Sequence, residues 1–224
     1  VYFSAAPVWA RDDAHPFKLT LGDYQYPEYQ GRDVNLRWQH EDSHAWIGYY
    51  EDDASGRQSR AGVDTSVDLS ALISVQPSLQ TATGGFWGGS LNTQIGHAWY
   101  ALAGIGRTNL KPYVNLNFDP NDAVTVGGGH LFESGQSWSL FMVRDDRLQT
   151  GQTDVHLSGR VPVGPNRLTI DLARKSGDGD TGYIRAWGAT VGWDFPHWFL
   201  RVARDNKQNF SADDVWRFSG GVRF

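Results

Sequence analysis

The chain has 224 residues, no cysteine and a formal net charge of −5, which excludes a disulfide framework, a thiolate metal site and a basic nucleic-acid-binding surface. Its hydrophobic share is 40% and its mean hydropathy −0.47, yet it carries 10 Trp, 9 Tyr and 11 Phe. No apolar run is long enough to cross a bilayer as a helix, a fact that does not bear on strands that alternate.

The first ten residues, V-Y-F-S-A-A-P-V-W-A, precede the charged Arg11-Asp12-Asp13. They read as the remnant of a secretory signal with Val8 and Ala10 before the cleavage site, as a mature tail, or as a link from an upstream periplasmic region. Each reading implies export. The expected organisation is a tail over residues 1–15 and a single domain over 16–224.

From there, period-two segments recur along the chain. Phe17, Leu19 and Leu21 alternate with polar neighbours, and Val34, Leu36 and Trp38 face away from Asp33, Asn35, Arg37 and Gln39. A-W-I-G-Y-Y follows the polar tetrapeptide Glu41 to His44. Further segments lie at Ala61-Val63-Thr65-Val67 and Ala71-Ile73-Val75. Gly84-Gly85 and Gly88-Gly89 flank Phe86-Trp87 and read as a loop or strand end. Leu91 to Gly106 reads as one long strand, or as two broken at Gly96-His97. Val114-Leu116-Phe118, Val124-Val126, Trp138-Leu140-Met142, Val155-Leu157, Leu168-Ile170-Leu172, Val191-Trp193 and Trp198-Leu200-Val202 continue the pattern. No segment has a helical period, so the fold is expected to be all-β and antiparallel.

The connections alternate in length. Tyr26–Gly31, Glu51–Gln58, Asp145–Gly151, Ser176–Thr181 and Asn206–Asp213 are long; Glu41–His44, Glu133–Gln136, Val163–Asn166 and Phe195–His197 are short. Acidic clusters at Glu51-Asp52-Asp53, Asp119 to Asp122, Asp178-Asp180 and Asp213-Asp214 fall in loops. The two loop series agree when Leu91 to Gly106 counts as one strand, which predicts about fourteen strands, with twelve and sixteen as neighbours.

The last eleven residues, D-V-W-R-F-S-G-G-V-R-F, put Trp216, Phe218, Gly220, Val222 and Phe224 on one face and Arg217, Ser219, Gly221 and Arg223 on the other. This segment resembles the closing strand of bacterial outer-membrane β-barrel proteins, with Gly220 standing where a larger apolar residue is usual. The resemblance implies an up-and-down transmembrane barrel in a Gram-negative outer membrane, in contact with its lipid and lipopolysaccharide. It also implies Trp216, Phe218, Val222 and Phe224 as a signal read by the barrel-assembly machinery. Trp38, Trp46, Trp138, Trp193 and Trp198 near segment ends resemble interfacial girdles. A two-sheet sandwich, the other all-β option, needs long returns that the chain lacks.

On the barrel reading the polar parity lines the inside: Asp33, Arg37, Arg60, Asp64, Asp154, His156, Arg160, Arg167, Asp171, Arg201 and Arg217. A charge facing hydrocarbon near the midplane costs about 2 to 4 kcal/mol, so these side chains belong in the lumen. Arg60 with Asp64, and Arg167 with Asp171, are spaced to pair along single strands. The lining reads as a passage filtering small hydrophilic solutes by charge and size, or as a salt-bridged plug. The number of arginines resembles small porins for acidic oligosaccharides, although the acidic partners dilute the basic track.

Other chemistry finds less support. His156-Leu157-Ser158 matches the His-x-Ser spacing of lipid A deacylases, but Val155 and Leu157 take the lipid face, so the pair turns inward. Asp154 and His156 share that inner face as candidate metal ligands, or more simply as members of a hydrogen-bond ladder. His40-Glu41-Asp42 sits in a short turn. Gly127-Gly128-Gly129 precedes no helix and marks a bend or a place where bulky neighbours need room. The expectation is a monomeric passive channel with no inward-folding loop, no catalytic residues, no metal and no cofactor. A barrel from an exopolysaccharide secretion system and a lipid-modifying hydrolase are the alternatives.

Overall fold

The computed structural model of the protein describes residues 15–224, so the expectations for the preceding tail lie outside the described residues. Fifteen strands follow one another: β1 (Phe17–Gln25), β2 (Gln30–His40), β3 (Ser43–Asp52), β4 (Gly56–Thr65), β5 (Val67–Ser70), β6 (Ile73–Ala82), β7 (Phe86–Gly96) and β8 (Trp99–Thr108). They continue as β9 (Ala123–Leu131), β10 (Ser137–Asp145), β11 (Thr153–Val163), β12 (Asn166–Gly179), β13 (Gly182–Asp194), β14 (Trp198–Asp205) and β15 (Val215–Arg223). A short 3-10 turn, Gln208–Phe210, lies between the last two.

Sequence neighbours pair antiparallel, and β1 pairs with β15 through Leu19↔Val222 and Leu21↔Gly220. β4 and β5 are two halves of one stave interrupted at Ser66. Both pair with β6, through Val63↔Leu79 and Val67↔Val75, and this closes a barrel of fourteen staves. Among the described residues closure leaves no long unpaired edge, which is how an all-β chain satisfies its backbone where water is absent.

Each stave turns apolar side chains outward. Leu21, Val34, Ile47, Val63, Leu79, Leu91 and Ile105 carry the band around one half; Val126, Leu140, Leu157, Leu172, Val191, Leu200 and Phe218 complete it. Ile47, Leu79 and Leu140 are 60%, 63% and 58% exposed. Keeping one such side chain in water costs about 1.5–3 kcal/mol relative to burial, and the band repeats that cost around the circumference. The surface is therefore built for a nonaqueous surrounding.

Six tight turns, at 41–42, 71–72, 97–98, 132–136, 164–165 and 195–197, lie at one end of the barrel with Phe17 and Phe224. The connections at the other end include 109–122, 146–152 and 206–214. Residues 26–29 form a connection as expected, but 51–58 and 176–181, also expected to be long external loops, are mostly strand: β12 runs to Gly179 and β13 restarts at Gly182. Beyond an apolar band both faces of a strand meet polar surroundings. The ladder then continues while the apolar alternation that marks it in sequence stops.

Two expectations fail locally and cancel in the count. Leu91 to Gly106 is two strands, turning at 97–98 after Gly96, whose φ of +113° suits glycine. Val114-Leu116-Phe118 is not a strand but part of the connection 109–122, which folds into the barrel, against the expectation that no inward loop exists. Its left-handed residues Leu110 (φ 59°) and Phe118 (φ 71°) break extended geometry, and alternation here serves to bury Leu116. Trp46 also departs from its expected girdle position. It lies on the inner parity over Gly62, where an added Cβ would sit 2.6 Å from the indole.

The interior is less polar than the alternation implied. Tyr100, Leu102, Ala123, Phe141 and Val143 form one buried cluster; Tyr24, Tyr50, Leu116 and Val215 form another. In S-W-S-L-F-M-V-R-D, the sequence of β10, both parities are apolar, so Phe141 and Val143 were hidden behind the outward Leu140. Gly127 and Gly129 make room for this filling. A Cβ on Gly127 would lie 2.5 Å from Leu140 O, and one on Gly129 2.5 Å from the Tyr100 ring. The crowding reading of the triple glycine holds.

Candidate channel lumen

The inner face sorts its charges along the barrel axis. Near the tight-turn end β1 and β2 place Lys18 beside Arg37, and β15 places Arg223 across from Lys18. Arg160, Arg167 and Arg201 join them from β11, β12 and β14. Two carboxylates hold this basic ring in place. Asp194 takes Arg223 at 2.5 Å and Arg167 at 3.4 Å; Asp64 accepts from Arg37 at 2.9 Å and lies 2.8 Å from His44 Nδ1. The Phe199 ring supports the same group, with Lys18 Nζ 4.2 Å from its centroid and Arg223 at 5.6 Å.

The pairings expected along single strands do not form. Arg60 pairs with Asp33 at 2.7 Å, across β3, and Asp64 pairs with Arg37. Asp171 lies against His156 and Arg167 against Asp194. Gly48 explains the first exchange. It stands between Asn35 and Arg60 in the register, and a Cβ there would lie 3.0 Å from Arg60 Nε. With no side chain in the way, the guanidinium lies over β3 and reaches β2.

Farther toward the loop end the sign changes. Asp154 on β11 faces Lys175 on β12 in register, and Lys175 Nζ lies 2.6 Å from Asp205 of β14. His156, two residues along, places Nδ1 2.9 Å from Asp171 and Nε2 3.0 Å from Asp119. Phe141 stacks on the imidazole with ring centroids 4.8 Å apart. Both nitrogens of His156 are engaged by carboxylates, so the ring is not placed as a base for Ser158.

Asp119 belongs to the inward connection 109–122. At its stem, Asp122 accepts from Thr108 N at 3.0 Å and from Arg147 Nη1 at 2.8 Å. At its tip, Arg217 Nη1 donates to Leu116 O at 3.2 Å and lies over Phe118; Tyr113 stacks on Phe86 with centroids 4.1 Å apart. Asn209 of the 206–214 connection donates to Asn115 O at 2.7 Å, joining the two loops. Burial works against ionisation of Asp119 and Asp122. The His156 hydrogen bond and charge at Asp119, and the Thr108 and Arg147 hydrogen bonds at Asp122, outweigh it and hold both carboxyls below the ordinary carboxylate value.

The eleven residues predicted for the lining share the strand faces opposite the exposed apolar side chains, in two groups with one pair between them. Arg37, Asp64, Arg160, Arg167 and Arg201 sit toward the turn end. Asp154, His156, Asp171 and Arg217 stand with the inward loop, and Asp33 with Arg60 forms a buried pair between. Lys18, Lys175, Asp194, Asp205 and Arg223 were missed. Carrying the parity of Asp171 two steps on to Lys175, and that of Arg201 on to Asp205, would have found two of them.

Closed, antiparallel, apolar outside and charged inside, the chain has the fold of a transmembrane β-barrel of the porin type. No protein-family model matches it, and no curated protein does. Among solved structures it is similar to the outer membrane protein Omp33 of Acinetobacter baumannii, with a TM-score of 0.64 and 10% identity over 94% of this chain and 98% of that one. A mutant of the Rh. blastica porin gives a TM-score of 0.52 and 10% identity, covering 93% of this chain and 98% of that one. The NanC porin gives 0.51 and 9%, covering 93% and 98%. At these identities the likeness concerns the fold.

Proposed function

We propose that the protein is a passive channel of a bacterial outer membrane, admitting small hydrophilic solutes with a preference for anions. The observation that carries this reading is the ring of Lys18, Arg37, Arg160, Arg167, Arg201 and Arg223 inside a barrel whose outside is an unbroken apolar band. Cations lining a narrow, low-dielectric passage raise the local concentration of anions and lower their entry barrier. The inward connection 109–122 sets the narrowest section and so the size limit. The porin folds of the similar structures support the same reading.

In this reading the barrel is a monomer in contact with lipopolysaccharide and lipid. The outward Trp216, Phe218, Val222 and Phe224 of its closing strand are recognised during assembly. Diffusion uses no catalytic residue.

The test is single-channel recording of the refolded protein in a planar bilayer. Discrete ohmic steps with anions more permeant than cations are expected. Arg37→Glu and Arg160→Glu should each move the reversal potential toward cations while the barrel stays folded. A folded, electrically silent protein would overturn the channel reading, and a reversal potential unmoved by both variants would overturn the role of the ring.

A further inference from the structure

We propose that Asp119, Asp154 and His156 bind a divalent transition-metal ion, Zn²⁺ being the probe of choice, which clamps the inward loop to the barrel wall. The three side chains bring one ligand atom each to within 4.8 Å of one another, from the loop and from β11. The second observation is Asp154 itself. It is 1% exposed, and among the described residues neither of its carboxylate oxygens has a hydrogen-bond partner. An ionised carboxylate left this way is strongly unfavourable, and either a proton or a cation relieves it; the His156 and Asp119 ligand atoms beside it supply the other donors a cation needs. The nearest candidate, Lys175 across the β11–β12 ladder, is drawn instead to Asp205 at 2.6 Å.

The surroundings are those of a metal-binding histidine. Asp171 holds Nδ1 at 2.9 Å, the carboxylate–histidine arrangement that fixes ring orientation and leaves Nε2 for the ion. Phe141 fixes the ring plane from one side. Four carboxylates, Asp119, Asp154, Asp171 and Asp205, stand here against Lys175, Arg217 and His156, and that remaining excess of negative charge favours a cation. One imidazole nitrogen with two carboxylate oxygens suits Zn²⁺ better than Mg²⁺ or Ca²⁺, which take oxygen alone. Bonds of about 2.1 Å in a tetrahedron place ligand atoms about 3.4 Å apart, a contraction within reach of side-chain rotation. Water or solute fills the fourth position. The ion takes the place of the hydrogen on Nε2, which leaves to solvent as a proton, so binding tightens as pH rises.

This site does not depend on the barrel's conducting anything, and its test uses no conductance. The full refolded chain, stripped with EDTA, is titrated with Zn²⁺ by calorimetry and its thermal unfolding followed with and without the ion. One Zn²⁺ per chain and a Zn²⁺-dependent rise in Tm are expected. Asp154→Asn should fold at least as stably as the metal-free protein, since it removes a buried charge, and lose the Zn²⁺ response. His156→Gln should lose it too, and Asp171→Asn should weaken affinity about 10- to 100-fold. Absence of Zn²⁺ binding by the folded protein, or equal binding by Asp154→Asn and His156→Gln (adventitious capture by other histidines), overturns the proposal.

Discussion

Arg217 on β15 donates to the carbonyl of Leu116, 101 positions earlier in the chain, at 3.2 Å, with the Phe118 ring 5.0 Å from its guanidinium carbon. Two contacts from one side chain thus fasten the tip of the inward loop to the wall opposite its stem. A charged hydrogen bond of this kind contributes about 1.5–3 kcal/mol. Arg217→Ala should free the tip and raise the single-channel conductance while the barrel remains folded. Recording wild type and variant under identical salt decides it; an unchanged conductance means that the tip is not the narrow point.

Asp33 and Arg60 are each about 9% exposed at the side chain and pair at 2.7 Å. Removing one member leaves the other charged in a dry setting, so Asp33→Ala should cost about 3–5 kcal/mol. Replacing both by apolar residues, Asp33→Leu with Arg60→Met, should recover most of that loss. Urea unfolding of the single and double variants in lipid vesicles measures the difference. Equal destabilisation by the two would show that the pair is no more than packing.

Gly129 and Gly192 make a matched contrast. A Cβ on Gly129 would meet Trp138 O and the Tyr100 ring at 2.5 Å, whereas one on Gly192 finds nothing nearer than 3.7 Å. Gly129→Ala should destabilise by about 1–3 kcal/mol, the range for overpacking, and Gly192→Ala should be nearly neutral. The shift in the heat-modified gel mobility of the two variants is the measurement.

Acid should loosen the stem of the inward loop. The Asp122 carboxyl is held below its ordinary value of 3.8 by Thr108 and Arg147 against the opposing effect of burial. A depressed carboxyl stabilises the native state fully above 3.8 and loses that contribution as pH falls through the folded-state value. Protease cleavage within 109–122 should therefore stay slow at neutral pH and accelerate below the ordinary carboxylate range. Asp122→Asn should be cleaved faster already at neutral pH and respond less to acid.

The sequence carried the stave parity well where a lining charge is flanked by residues that must face outward. Asp154 and His156 alternate with Val155 and Leu157, and Arg201 lies between Leu200 and Val202. What it did not carry was contact between strands. Arg60 meets Asp33 because Gly48 leaves a gap in an intervening strand, a fact of register that no spacing along β4 contains. Period two also failed to separate a strand from the inward loop, since Val114, Leu116 and Phe118 alternate in order to pack against Tyr24, Tyr50 and Val215. The count of fourteen came out because that extra strand offset the unbroken reading of Leu91 to Gly106.

Along β11 and β14, and along β12 as far as Asp171, the inner charge runs in one sense, which Lys175 reverses beyond that point. Asp154 gives way to Arg160, Asp171 to Arg167, and Asp205 to Arg201 on passing from the loop end to the turn end. In the proposed channel these three stretches bias the lumen along its axis, only partly offset by Lys175 and Arg217 at the loop end and by Asp64 and Asp194 at the turn end, so the two directions of travel are inequivalent for an ion. A barrel inserted in one orientation would then rectify, carrying unequal currents at equal voltages of opposite sign. The fold's own asymmetry, tight turns below and anchored loops above, would be written into its electrical response.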